Sequence, residues 1–262
     1  MSDALERLQA VLRGIAQAEV AVSGGVDSLT LAAAAHAVLG RRAVMRHATS
    51  PAVPPEATAR VRALAAARGW ALDVFDAGEF ADPRYRANPA NRCFFCKTNL
   101  YGAIAGRAAG TILSGTNTDD LTDWRPGLEA AAQHAVRHPL VEAGIDKATV
   151  RQLAARLGLG TVADLPAAPC LSSRIETGIR VDPALLALVH QAERLVGASL
   201  GPRTVRARIR AGGLVIELDP AALERVGPQR AALLAALSAL TERPISFAAY
   251  RTGSAFLRGA AA

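Results

Sequence analysis

Lysine is nearly missing from this 262-residue chain: of its 30 basic residues only Lys97 and Lys147 are lysines, which leaves 28 arginines. Aromatic residues make up only 4%, and there are three cysteines. No uninterrupted apolar run reaches the roughly 18 residues of a membrane helix, so the pattern excludes such a span. In a cytosolic chain those three cysteines are not expected to form a structural disulfide. Residues Met1 to Arg13 carry Asp3, Glu6 and Arg7 in a helical pattern with no apolar h-region, so no signal peptide is expected and the chain is placed in the cytoplasm. The net charge of +7 would suit a nucleic-acid partner. Yet the arginines are spread along the whole chain, are not interleaved with aromatics, and accompany abundant alanine, which reads as GC-rich codon usage. That argues against nucleic acid; a phosphorylated small molecule would also exploit a basic site. With 51% apolar residues the chain can bury one large core or two moderate ones.

One short segment carries most of the chemical information. After the apolar run Glu19 to Val22 comes Ser23-Gly24-Gly25-Val26-Asp27-Ser28, and then a helical pattern. An S-G-G-x-D-S turn between strand and helix is identified as a PP-loop, the pyrophosphate grip of ATP pyrophosphatases, which cut ATP between the α- and β-phosphates. Gly24 and Gly25 lack a Cβ, so the backbone can bend its N–H groups against phosphates. Ser23 and Ser28 add hydroxyls, and the helix N-terminus behind them favours the anion. Asp27 would hold Mg²⁺ or orient the α-phosphate through it. No G-x-x-x-x-G-K-[ST] occurs, which excludes a Walker A loop.

Apolar runs alternate with helical patterns through the first 165 residues. Strands are expected at Glu19–Val22, Ala43–Thr49, Ala71–Asp76 and Thr111–Ser114, with helices at about 26–39, 55–68, 96–109 and 146–157. This order predicts an α/β fold, a parallel sheet with helices on both faces. Ligands on such sheets bind at the C-terminal strand ends, where Ser23–Ser28, Thr49–Ser50 and Gly115–Asp120 fall; Thr49, Gly115, Asn117 and Asp120 therefore join the candidate nucleotide site. Pro166, Pro169, Gly178 and Pro183 mark a linker at about 166–182. Beyond it, helices at about 183–196, 220–225 and 228–239 and strands Thr204–Arg210, Leu214–Leu218 and Ile245–Tyr250 predict a smaller C-terminal α+β domain. The domains are thus 1–165 and 166–262. Arg206, Arg208 and Arg210 alternate with Val205, Ala207 and Ile209, so a strand puts three guanidinium groups on one face. Like charges repel unless an anion neutralises them, which favours a phosphate-binding face over a solvated edge.

Cys93-Phe94-Phe95-Cys96 is a C-x-x-C, and Cys170 follows Pro169. A structural zinc site wants a fourth ligand, and no histidine stands at finger-like spacing. A thioredoxin-type pair needs its own fold context, and here bulky Phe94 and Phe95 fill it. Three thiolates suit a 4Fe–4S cluster with one iron open to sulfide. Unrelated buried thiols are the plainer alternative.

Taken together the chain resembles the LarE family, ATP-dependent sulfur-insertion enzymes of nickel-pincer cofactor synthesis. The matching stretches are the PP-loop, Asn91-Arg92-Cys93-Phe94-Phe95-Cys96-Lys97, Ser114-Gly115-Thr116-Asn117-Thr118-Asp119-Asp120, Asp123-Trp124-Arg125-Pro126-Gly127, His138-Pro139-Leu140-Val141-Glu142-Ala143-Gly144, Cys170-Leu171-Ser172-Ser173-Arg174-Ile175 and Arg206-Ala207-Arg208. The resemblance implies that a carboxylate of pyridinium-3,5-biscarboxylic acid mononucleotide is adenylated and becomes a thiocarboxylate. In some members the cysteine at the position of Cys170 gives up its own sulfur; members with the extra C-x-x-C are thought to hold a 4Fe–4S cluster, here on Cys93, Cys96 and Cys170. It further implies that Arg174, Arg206 and Arg208 contact substrate, that Glu193 and Glu217 lie near Mg²⁺-binding carboxylates, that sulfide or a sulfur donor protein supplies sulfur, and that the chain is a homo-oligomer, a hexamer. Departures surround the acceptor side: Glu176-Thr177-Gly178 replaces Pro-Tyr-Gly, Leu165 a lysine, Ile209 a histidine and Arg225 a carboxylate. They leave open a paralogue acting on another small carboxylate; a tRNA-thiolating enzyme and a non-catalytic iron–sulfur or nucleotide carrier are the remaining alternatives.

Overall fold

The computed structural model describes residues 3–107, 110–122, 125–166 and 169–251. Ala108 and Ala109 of the expected 96–109 helix, Asp123 and Trp124 of the D-W-R-P-G match, and Ala167 and Ala168 of the expected linker lie outside them. The first elements in chain order are α1 (Ala4–Arg13), β1 (Ala18–Ala21), α2 (Val26–Leu39), β2 (Ala43–Ala48), α3 (Pro55–Arg68) and β3 (Ala71–Phe75). Next come α4 (Pro83–Arg86), α5 (Arg92–Ala105), β4 (Thr111–Leu113), α6 (Pro126–Gln133), α7 (Pro139–Glu142) and α8 (Lys147–Arg156). The last are α9 (Pro183–Leu200), β5 (Val205–Arg210), β6 (Gly213–Leu218), α10 (Pro220–Glu224), α11 (Val226–Ser238) and β7 (Ile245–Ala249).

The chain forms two compact units. Met1–Asp82 and Cys93–Ala168 make the first; Pro83–Arg92 and Pro169–Ala262 make the second. In the first, four parallel strands are ordered β3-β2-β1-β4. The expected α/β architecture with a parallel sheet between helices is therefore observed. Right-handed crossovers explain how the faces are shared. The chain steps from β1 to β2 to β3 in one direction, so α2 and α3 fall on one face, where α1 and α8 join them in a core around Leu29, Leu31, Val61 and Leu153. It then steps back past β1 to β4, which sends α5 to the opposite face. There Tyr101 and Ile104 pack with Phe75, Ile112 and Ala131.

Local chemistry sets the ends of these elements. Asp3 and Glu6 form a capping box at the start of α1. Proline opens α3, and Gly69 closes it in the left-handed region at φ 64°. Helix α2 has an apolar surface all round and is buried accordingly, as a central helix must be. Across β1, β2 and β3 runs a charged ladder: Arg46 donates to Glu19 and to Asp73, each at 2.6 Å, and Glu19 is fully buried.

The second unit is a small mixed sheet, β5-β6-β7, antiparallel between β5 and β6 and parallel between β6 and β7. Helices α10 and α11 supply the crossover that a parallel pair requires. Ala207 and Ile209 of β5 are fully buried, as are Val189, Ala192 and Val196 of α9. The segment Pro83–Arg92 belongs to this unit: Asn88 donates to the Glu176 and Ile179 carbonyls at 2.8 Å, and the Tyr85 and Ser172 hydroxyls meet at 2.6 Å. Among the described residues no helix is long and apolar enough to cross a membrane.

Glu19→Gln removes the buried end of the charged ladder and leaves Arg46 with Asp73 alone. Breaking a buried pair on one side costs about 3–5 kcal/mol. We expect a matching fall in the urea midpoint of the first unit, against a small change for Asp73→Asn at the exposed end.

Candidate nucleotide site

The turn that follows β1 is built by close approach. Val22 continues the ladder through its N–H to the Arg46 carbonyl, and its own carbonyl meets His47 Nδ1 at 2.7 Å. Gly24 has φ +85°, and a Cβ there would lie 2.8 Å from the Ala57 carbonyl oxygen, so no larger residue fits. Arg60 donates to the Gly24 carbonyl at 2.8 Å. The two serines are folded into the turn: Ser28 Oγ donates to the Gly25 carbonyl and accepts from the Ser23 amide, both at 3.1 Å, with the Ser23 hydroxyl also 3.1 Å away.

The turn after β4 closes against the same place. A Cβ on Gly115 would fall 2.8 Å from the Ser28 amide nitrogen, so this glycine lets two backbones touch. Asn117 then reaches back: its Nδ2 donates to Asp27 Oδ1 at 3.2 Å. Asp27 Oδ2 accepts from Lys147 Nζ, and the Lys147 backbone N–H donates to Asp119 Oδ2 at 3.3 Å. Asp120 accepts the Asn117 amide at 3.1 Å and pairs with Arg125 at 2.8 Å, so it shapes this loop. Thr49 bonds the Phe75 carbonyl through its N–H at 2.8 Å, tying the ends of β2 and β3. Ser23, Gly24, Gly25, Asp27, Ser28, Gly115 and Asn117 thus meet at one spot, where the strand order reverses on either side of β1. This switch point is where open α/β sheets bind ligands.

The sequence reading missed Lys147, Arg60 and two histidines. Lys147 carried a usable signal, being one of two lysines in an arginine-rich chain. His47 carried none, since it sits inside a strand. Its Nδ1 faces a carbonyl and so carries the proton, while Nε2 lies 2.9 Å from the Thr58 hydroxyl. His138 Nδ1 meets Ser114 Oγ at 2.7 Å, and Ser114 Oγ meets Thr116 Oγ1 at 2.9 Å. Burial holds both imidazoles below their ordinary pKa, against a raising bond from Val22 in His47 and against Glu142 and Asp120 near His138.

The cysteines differ from expectation in one respect. Helix α5 begins at Arg92, so Cys93 and not Cys96 lies at its N-terminal end, and Cys96 follows one turn later. Spaced i, i+3, the two share a helix face. Cys170 is exposed at the N-cap of a short 3₁₀ turn, Leu171–Arg174, in the second unit. None of the three is in a disulfide, and thiols are the right donor chemistry for a cluster. Among the described residues, however, no group of three or more His, Cys, Asp or Glu side chains is placed to hold a metal ion.

The arginine face also differs. Arg208 and Arg174 are only 4% and 3% exposed and must be paired. Arg208 donates to Glu217 at 2.7 Å and to the Ser173 carbonyl at 2.9 Å; Arg210 takes the other Glu217 oxygen at 2.7 Å. Arg174 forks onto Glu193 at 2.8 and 3.1 Å. The expected repulsion among Arg206, Arg208 and Arg210 is met by protein carboxylates, because β6 and α9 supply Glu217 and Glu193 across from β5. Those two glutamates, expected near Mg²⁺, are held by guanidinium groups. Burial lowers the pKa of Arg206, and Arg174 and Arg208 nearby push the same way against Glu193 and Tyr250. The departures from the resemblance have structural roles: Ile209 is core, Glu176 pairs with Arg210 at 3.6 Å, and Arg225 donates to the Leu200 carbonyl at 2.9 Å.

A histidine that is neutral when folded and charged when unfolded makes the native state bind fewer protons below pH 6.5, so stability is full above that pH and falls as pH drops toward the native pKa. We expect His47→Asn to lose less stability than the parent between about pH 7 and pH 5, read from urea midpoints.

No family model matches the chain. It is 39% identical over 225 residues to the uncharacterised protein slr1717 of Synechocystis sp., covering 84% of this chain and 83% of that one. It is 32% identical over 219 residues to the pyridinium-3,5-bisthiocarboxylic acid mononucleotide synthase of Lactiplantibacillus plantarum, covering 82% of this chain and 79% of the relative.

Proposed function

The chain belongs to the LarE family of the Lactiplantibacillus synthase, and from that premise we propose that it is an ATP-dependent sulfur transferase acting on a carboxylate of pyridinium-3,5-biscarboxylic acid mononucleotide. The observation that carries this reading is the meeting of the Ser23–Ser28 turn with Gly115 and Asn117 at the switch point of the sheet. In the proposed reaction a carboxylate oxygen of the substrate attacks the α-phosphorus of ATP, and the bond to the β-phosphate oxygen breaks to release pyrophosphate. A sulfur nucleophile then attacks the acyl carbon, AMP departs, and a thiocarboxylate remains. The backbone amides after Gly24 and the positive end of α2 face the pyrophosphate that leaves. Asp27 fits Mg²⁺, which is usually held by one or two carboxylates together with substrate phosphates rather than by an all-protein cage. In the second unit Arg174, Arg206 and Arg208 are the candidates for the substrate side of the reaction.

For the sulfur, the finer proposal is a 4Fe–4S cluster on Cys93, Cys96 and Cys170, which when bound would present sulfide on its open iron. Iron content and protein mass test it. Anaerobic protein with about four irons per chain supports it. A Cys93→Ala variant that keeps full activity while Cys170 loses the mass of H₂S would replace it with sulfur drawn from Cys170 itself.

Asp27→Ala and Ser23→Ala are expected to slow pyrophosphate release with the nucleotide acid by about 30- to 1,000-fold, the loss of one metal contact and one transition-state anion contact respectively. Far-ultraviolet circular dichroism should be unchanged. Near-parental pyrophosphate release by Asp27→Ala would sink the assignment of the loop.

A further inference from the structure

The cation seated on Asp27 is one of only two lysines, in a chain that uses arginine for its other 28 basic residues. Both carboxylate oxygens of Asp27 are occupied, Oδ2 by Lys147 and Oδ1 by Asn117. Lys147 is the first residue of α8. Its backbone is tied to Asp119, and Asp146 caps the helix through the Thr149 amide at 2.7 Å. The base of the side chain is therefore fixed, and the ion pair at its tip is partly open to solvent: the Lys147 side chain is 31% exposed and that of Asp27 is 26% exposed. A partly exposed ion pair of this kind opens at little cost.

A small hard cation binding Asp27 needs the oxygen that Lys147 occupies, and two cations cannot share it without repulsion. A guanidinium would grip both carboxylate oxygens as a planar fork, whereas an ammonium holds one, on a flexible four-carbon stem. We propose that Lys147 is a placeholder cation: it neutralises Asp27 while the site is without nucleotide, and passes to phosphate oxygens when Mg²⁺ and ATP arrive together. The inference rests on reading this site as an ATP pyrophosphatase. Its consequence is that metal alone binds poorly, and that metal and nucleotide load as one unit.

Titration of the full chain with Mn²⁺ alone, followed by the free-ion electron paramagnetic resonance signal, tests this alongside a titration of Mg²⁺ with α,β-methylene ATP. Lys147→Met should bind Mn²⁺ alone about fivefold tighter, the upper range for releasing a partly exposed pair. The same variant should bind the Mg²⁺ nucleotide about tenfold more weakly, through loss of one charged hydrogen bond. Lys147→Arg should keep Mn²⁺ binding weak and also weaken the nucleotide, because the fork does not let go. Unchanged Mn²⁺ affinity in Lys147→Met, with Asp27→Asn still abolishing nucleotide binding, overturns the placeholder role and leaves the ATP site standing. Intact Mn²⁺ and nucleotide binding by Asp27→Asn overturns both.

Discussion

The candidate site depends on how closely the turn after β4 approaches the first turn of α2. Gly115 rests its backbone against the Ser28 amide, and that contact lets Asn117 reach Asp27. Sheet order makes the approach possible. With β1 between β2 and β4, the turns leaving β1 and β4 part at the same edge of the sheet. The close contact of Gly24 with Ala57 does the same from the side of α3. Two glycines thus fix the turn from opposite sides, and neither could carry a side chain without moving a backbone.

Charge follows the same logic of forced proximity. In the first unit Asp27, half-buried in the first turn of α2, is balanced by Lys147, 120 residues away in the sequence. In the second, Glu217 meets Arg208 and Arg210, which the strand pattern alone would leave in conflict, and Glu193 meets Arg174. A buried guanidinium left without its carboxylate would be costly, so loss of either glutamate alone would destabilise the unit. On the same strand the Arg206 guanidinium lies 5.8 Å from the centre of the Tyr250 ring. The family's acceptor-side departures fall on this same ground, where Ile209, Glu176 and Arg225 are each used for packing or pairing.

Much of the secondary structure was legible. Helix α2 and helix α3 begin and end where the glycine and proline punctuation puts them, and β2, β3, β5 and β6 lie within a residue or two of their apolar runs. The start of α5 was not legible: Cys93 and Phe94 gave no stop signal, and the helix takes in one more turn. The placement of Pro83–Arg92 with the second unit was also hidden, because it depends on Asn88 and Tyr85 finding partners about ninety residues later. Nothing in the local pattern marks such partners.

By itself the sequence determined the strand–turn–helix at Ser23–Ser28, the alternation that makes a parallel sheet, and the arginine-bearing face of β5. Those features have short physical periods: two residues for a strand, 3.6 for a helix, one turn for a glycine-rich loop. Only the tertiary structure decided that Lys147 answers Asp27, that Glu193 and Glu217 answer arginines, and that His47 locks the carbonyl before the loop. Those pairs join residues brought together by sheet order, strand pairing and helix packing, which no local periodicity records.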